Sequence, residues 1–274
     1  MSYYLRENLP PTPVLGQRRP VINEFFLSSY TLSIYAGCEF GCPYCDVWSY
    51  TSRPLNEMVR IPFDLPQRLA NELLDVNRGD LIGITTLSDP YQPAERTYHI
   101  TRQVLQIFAD IGQPCLILTK GVGILEDIPL LRRINERSLA IVMTTLLTVD
   151  SRLAEKLEGK SPAPPLRLDM LKSLKQAGIP VGVVIAPLIP YINDTAPILS
   201  GLLRACFDIG VDFVVWDFLN IPDRSHYGRI NEMVLRIGNY PPSYYRDIYA
   251  DQPQPNKTYR AQRNADLIQR CDRL

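Results

Sequence analysis

The sequence contains no apolar run of about 18 residues, the length that a membrane-spanning helix needs, and it has no excess of either charge, with 29 Lys+Arg against 29 Asp+Glu. The first absence removes the expectation of a transmembrane span. The second disfavours a protein that lives on phosphate contacts, which shows a basic excess. A local patch stays open, but the one mildly basic stretch, "NKTYRAQRNADLIQRCDRL" at the C-terminus, reads as a solvated helix face. The N-terminus "MSYYLRENLPPTPVLGQRRP" lacks the apolar core of a secretory signal, so the expected location is the cytoplasm. Histidine is scarce, with two residues, His99 and His226. Six cysteines in a cytosolic chain of this length do not read as a disulfide framework.

What is present is ample material for a core: 46% of the 274 residues are hydrophobic. Residues 1–27, with little periodicity, are expected to form an irregular arm. Six nearly continuous apolar runs follow: 30–36, 81–87, 115–119, 139–147, 181–187 and 212–218. They are rich in β-branched residues, as strands buried on both faces are. Helical patterns fill the gaps, over 64–76, 100–111, 124–136, 166–177 and 196–207. Gly112, Gly178 and Gly210 each follow one, where a left-handed residue ends a helix. Strand then helix, six times, predicts parallel β/α units. Six units are too few for a closed eight-stranded barrel and suit an open, partial one. Its catalytic residues belong where strands end and loops begin. The expected division is an arm over 1–27, a barrel core over 28–225 and a helical C-terminal extension over 226–274.

Three of the cysteines, Cys38, Cys42 and Cys45, fall within "YAGCEFGCPYCD" directly after the first strand. A structural zinc site wants four N or S ligands. No second cysteine pair exists and both histidines are distant in sequence, although the fold could still bring a ligand in. Three inert buried thiols fit poorly on a loop that also holds Gly37, Gly41 and Pro43. A [4Fe–4S] cluster held by three thiolates, with one iron left for an amino-acid chelate, accounts for the number three. Cys115 and Cys206 lie in apolar segments and read as core residues. Cys271 has no evident role.

The spacing C-x3-C-x2-C, with Tyr44 before the third cysteine, resembles the radical S-adenosylmethionine superfamily. Together with "SDPYQPAE" (88–95), "LTKG" (118–121) and "PLRLDMLKSLKQAGIPVGVVIAPLIP" (165–190), it resembles that superfamily's spore photoproduct lyase-like branch. The resemblance covers roughly residues 28–220. It implies a partial (β/α)6 barrel, a [4Fe–4S] cluster on Cys38, Cys42 and Cys45, and S-adenosylmethionine as the missing ligand. It further implies a reaction in which the reduced cluster cleaves that cofactor to a 5′-deoxyadenosyl radical, which takes hydrogen from a substrate. A small redox protein such as flavodoxin or ferredoxin is the implied electron donor.

Ser88 and Lys120 are implied contacts to the cofactor. Tyr44, Asp89, Thr144 and Thr145 are further candidates. Lysine is rare, six against 23 arginines, and Lys120 directly follows an apolar strand. Its ammonium can pair with a carboxylate as a point charge. A serine or aspartate at 88 or 89 could instead cap the helix that begins near Pro93. Asn193, Asp194, Trp216 and Asp217 follow the last strands and either line a substrate space or pack loops. The sequence departs from the lyase at two places. Thr86 stands where the lyase has its hydrogen-donating cysteine, and Asp46 stands where it has a tyrosine after the third cluster cysteine. The expected substrate is therefore something other than the lyase's lesion, with DNA repair and a non-catalytic cluster or zinc module as the alternatives.

Overall fold

The computed structural model describes residues 3–19, 28–50, 55–84, 87–238 and 243–274. In chain order the strands are β1 (Tyr3–Glu7), β2 (Tyr30–Leu32), β3 (Met58–Pro62), β4 (Ile82–Ile84), β5 (Cys115–Leu118), β6 (Ala140–Thr145), β7 (Val181–Leu188) and β8 (Phe213–Phe218). The helices are α1 (Leu65–Glu72), α2 (Glu95–Tyr98), α3 (Ile100–Ile111), α4 (Ile128–Asn135), α5 (Ser151–Glu158), α6 (Pro164–Gln176), α7 (Ala196–Ile209), α8 (Arg224–Gly238), α9 (Ser243–Tyr249) and α10 (Lys257–Cys271). Six strands pair in the order β2-β4-β5-β6-β7-β8, all parallel. This is the open partial barrel that six β/α units predict.

Alternation along each strand sorts the side chains between two faces. Ile82, Ile84, Cys115, Ile117, Val142, Val183 and Ile185 join the outer core with helix residues such as Leu69, Phe108, Leu131, Leu174 and Leu202. Leu116, Met143 and Val184 form a separate inner cluster, flanked by Leu118, Ala186, Phe213 and Val215. The helices meet the sheet through single stripes. In α3, Ile100, Val104, Leu105 and Phe108 are buried at helical spacing, and each such side chain contributes roughly 1.5–3 kcal/mol by leaving water. That helix ends at Gly112, φ 73°, whose N–H bonds the Phe108 carbonyl at 2.8 Å.

Two expectations about the first sixty residues are corrected. Residues 3–7, expected to be irregular, form β1, which pairs in parallel with β3 from Tyr3 opposite Met58 to Glu7 opposite Pro62. This strand is mostly exposed, so it lacks the apolar pattern that betrays a buried one; its partner lies some fifty residues away. The first barrel strand, expected over 30–36, pairs only over Tyr30–Leu32. Beyond it Ala36 turns to bridge Arg60 on β3, which aims the chain into the cysteine loop. Among the described residues no helix is long and apolar enough to cross a membrane.

Candidate functional site

The cysteine loop is fastened at several points. Cys38 N–H bonds the Leu55 carbonyl at 2.9 Å, and Trp48 Nε1 donates to the Cys42 carbonyl at 2.9 Å. Gln92, fully buried, clamps the loop from the other side. Its Nε2 donates to the Gly37 carbonyl at 3.1 Å and its Oε1 accepts from Glu39 N–H at 2.9 Å. Gly37 has φ +93°, and an added Cβ would come within 2.1 Å of the Met58 carbonyl oxygen, so only glycine serves there.

All three thiols border one cavity of about 150 Å³. Its remaining wall includes Tyr44, Ser88, Asp89, Thr119, Lys120 and Thr145, with an apolar part from Phe40, Val47, Leu55, Leu87 and Leu118. Apart from Tyr44, which belongs to the cysteine loop, these polar residues lie at or follow the C-terminal ends of β4, β5 and β6, the end where catalysis is expected in such a sheet. Among the described residues, no three His, Cys, Asp or Glu side chains converge as a single metal ion would need. Three thiols arranged around a cavity suit instead a cluster three of whose four irons are each bound by one of them. The donor set thus fits the three-thiolate cluster. Burial pushes the Cys38 and Cys45 thiols up to about 12, with nearby Asp89 and Cys42 adding to Cys38 and Cys42 to Cys45.

Lys120 stands at the centre of the polar wall. Its Nζ lies 3.2 Å from Cys42 Sγ, 2.8 Å from the Tyr44 hydroxyl and 3.0 Å from Glu158 Oε1. Those three acceptors match the three donors of an ammonium. Tyr44 donates in turn to Glu158 Oε1. Glu158 Oε2 accepts from Arg167 at 2.5 Å, and Arg167 NH1 donates to the Thr145 carbonyl at 2.6 Å. Burial works against the Lys120 charge. Cys42, Glu158 and Tyr44 overcome it and hold the ammonium's pKa well above the usual lysine value. Burial likewise opposes the Glu158 charge, but Lys120 and Arg167 pull its carboxyl down to about 2.

The other sequence candidates are placed as follows. Ser88 lines the cavity and its Oγ donates to the Tyr35 carbonyl at 2.8 Å. Asp89 is buried with both oxygens engaged: Oδ1 accepts from Thr119 Oγ1 at 2.6 Å and Tyr91 N–H at 2.9 Å, and Oδ2 from Lys120 N–H at 2.7 Å. It ties the loop after β4 to the end of β5 and fixes the main chain that carries Lys120. Burial raises its pKa, against the pull of these hydrogen bonds. Thr145 lines the cavity, whereas alternation turns Thr144 to the opposite face, where its Oγ1 is buried without a hydrogen-bond partner. Asn193 and Asp194 bond the backbone of their own loop, and Trp216 Nε1 donates to Asn264 on α10 at 2.8 Å. These three pack loops and helices. Asp217 is exposed at the end of β8. Cys115 is fully buried in the outer core at the start of β5. Thr86 lies outside the described residues.

Glu158 and Arg167 were not apparent from the sequence, although a signal existed. Arg167 falls on the same helical face as Met170, Leu171 and Leu174, all buried. A charged residue inside an apolar stripe needs a buried partner. Glu158 sits in the last turn of α5, where the helix dipole disfavours a carboxylate.

Other proteins are similar to this chain in sequence or in fold. A protein from Pseudomonas phage M6 named Radical SAM Nalpha-GlyT isomerase is 27% identical over 239 residues, 86% of this chain and 48% of that one. An uncharacterised protein of Mycobacterium tuberculosis is 27% identical over 244 residues, 84% of this chain and 70% of that one. The structure of spore photoproduct lyase complexed with dinucleoside spore photoproduct superposes with a TM-score of 0.72 at 12% identity, over 98% of this chain and 79% of that one. At that identity the match speaks for the fold. The sequence model of the Radical SAM superfamily matches residues 32–198, more than half of the chain, from the end of β2 through the cysteine loop, Lys120 and Glu158 into α7. The chain belongs to the radical SAM superfamily, whose members use a [4Fe–4S] cluster and S-adenosylmethionine.

Proposed function

We propose that this protein is a radical S-adenosylmethionine enzyme acting on a substrate other than the spore photoproduct. The observation that carries the reading is the cavity shared by three thiols and the Lys120 ammonium at the C-terminal ends of the sheet strands. Cys38, Cys42 and Cys45 would hold the cluster. Lys120 would pair with the cofactor's carboxylate, Ser88 would bond its ribose or amino-acid part, and Tyr44 would pack beside it. Asp89 serves by anchoring the Lys120 main chain, and of the two threonines Thr145 is the one that lines the wall. When bound, cluster and cofactor together supply a 5′-deoxyadenosyl radical that takes a hydrogen atom from the substrate. The apolar wall of Phe40, Val47, Leu55, Leu87 and Leu118 keeps water from that chemistry.

The departure from the lyase rests on Thr86 and Asp46. An alcohol O–H bond is too strong to return a hydrogen atom to a carbon radical, whereas a thiol does so readily. Cys115 is a poor substitute donor, since it lies at the far end of its strand on the helix-facing side. A DNA-lesion lyase is the second reading, supported by the fold shared with spore photoproduct lyase. The balanced net charge weighs against it.

The test is anaerobic. Reconstituted, reduced protein is incubated with S-adenosylmethionine, and 5′-deoxyadenosine is quantified before and after addition of candidate substrate pools, with mass spectrometry of the products. Slow formation alone, accelerated by one pool, is expected. A full complement of iron with no 5′-deoxyadenosine under any condition would reduce the protein to a cluster-binding module.

A further inference from the structure

Glu158 joins four separate segments. Through Oε1 it meets Lys120 from the end of β5 and Tyr44 from the cysteine loop. Through Oε2 it meets Arg167 on α6, which reaches on to the Thr145 carbonyl at the end of β6. The Glu158 and Arg167 side chains are 2% and 1% exposed. A pin of this kind could have been apolar. Replacing buried ion pairs by well-packed hydrophobic residues is often neutral or stabilising, and the last turn of a helix is an unfavourable place for a carboxylate. The charge at Glu158 therefore calls for a reason beyond holding α5.

The inventory of donors supplies one. Lys120 has three N–H donors and three acceptors around it: Cys42, Tyr44 and Glu158. Tyr44 and Glu158 are themselves bonded to each other, so together they form a fixed cradle for two donors of a side chain that is otherwise flexible. The third donor rests on the Cys42 sulfur. A cofactor carboxylate can claim that donor without disturbing the cradle, and a donor already held in place binds with less loss of freedom.

We propose that Glu158, pinned by Arg167, is a positioning residue that holds the Lys120 ammonium at Cys42 and readies it for the cofactor carboxylate, so that its effect on cofactor affinity passes through Lys120. The inference rests on the functional reading above, because it takes S-adenosylmethionine as the ligand.

The test is a double-mutant cycle read by binding rather than turnover. Wild type, Glu158→Gln, Lys120→Met and the double variant are reconstituted anaerobically. Iron content and thermal midpoint are recorded, and S-adenosylmethionine affinity is measured by equilibrium dialysis. Glu158→Gln, with iron content unchanged, is expected to weaken binding about tenfold, as loss of a partner behind a direct ligand does. In the Lys120→Met background the same change is expected to cost less than about twofold, because the route through Lys120 is already gone. Equal losses in both backgrounds, or no loss in the single variant, would overturn the proposal. If Glu158→Gln does not fold, Glu158→Asp keeps the charge while shortening its reach, and must show the same dependence on Lys120. Wild-type protein that loads iron but binds no S-adenosylmethionine would defeat the functional reading itself. Wild-type binding that Glu158→Gln leaves unaltered would defeat this inference alone.

Discussion

Replacing Lys120 by methionine separates the cofactor's needs from the cluster's. Methionine keeps an unbranched apolar stem of similar length, so the perturbation is mainly loss of the ammonium and its contacts with Cys42, Tyr44 and Glu158. Removing a hydrogen bond to a charged group costs about 1.5–3 kcal/mol, which is roughly a 10- to 150-fold loss of S-adenosylmethionine affinity. Stability should fall as well. A buried charge left wholly unpaired costs about 3–5 kcal/mol. Glu158, however, retains Arg167 at 2.5 Å and the Tyr44 hydroxyl, so the loss should lie below that range. Iron content should stay at the wild-type level, since the three thiols are untouched. The assay is equilibrium dialysis or calorimetry with S-adenosylmethionine under strict anaerobiosis, beside an iron determination on the same sample. Affinity within about twofold of wild type, with iron intact, would refute the role given to Lys120.

Anaerobically prepared protein should be brown with about four irons per chain; alanine at Cys38, Cys42 or Cys45 should abolish the colour, alanine at Cys115 or Cys206 should not, and stoichiometric zinc in the oxygen-free protein would contradict the cluster. With the dinucleoside spore photoproduct, reduced enzyme and S-adenosylmethionine should give no multiple-turnover repair, and clean turnovers to the repaired dinucleoside would promote the lesion-lyase reading. For pH, the Glu158 carboxyl is held down to about 2 in the folded protein against an ordinary 4.5. Between those values the unfolded chain binds the extra proton, so stability falls as pH falls through this window. Denaturant unfolding from pH 5 to pH 2.5 should show a shallower loss for Glu158→Gln than for wild type, and parallel curves would argue that the pair does not hold its charge.

Much of the barrel was legible because a strand buried on both faces must be apolar throughout and a helix packed on it must be apolar at every third or fourth residue. Those patterns located the strands β4 to β8 and the stripe of α3 with few errors beyond their ends. The strand β1 was invisible for the opposite reason: an exposed edge has no pattern to impose, and its hydrogen-bond partner is supplied by a distant segment. The three cysteines were equally legible, because a short loop fixes their spacing and a multi-iron cluster fixes how many thiolates it needs.

The rest of the site belongs to the tertiary structure. The sequence marks Thr144 and Thr145 as the polar end of a strand, but alternation says only that they face opposite ways. Which one meets the cavity depends on how the sheet curves, and that choice fell to Thr145. Asp89 reads locally as a loop or capping residue, and only the approach of β5 gives its carboxylate the Thr119 hydroxyl and the Lys120 amide. Glu158 and Arg167 lie 38 and 47 positions from Lys120, on two different helices. A local signature marks each as unusually placed, Arg167 within an apolar helix stripe and Glu158 in the last turn of a helix, but it names no partner. They become partners only when the packing of α5 and α6 removes the water between them, because that desolvation makes an unpaired ammonium or carboxylate too costly to keep.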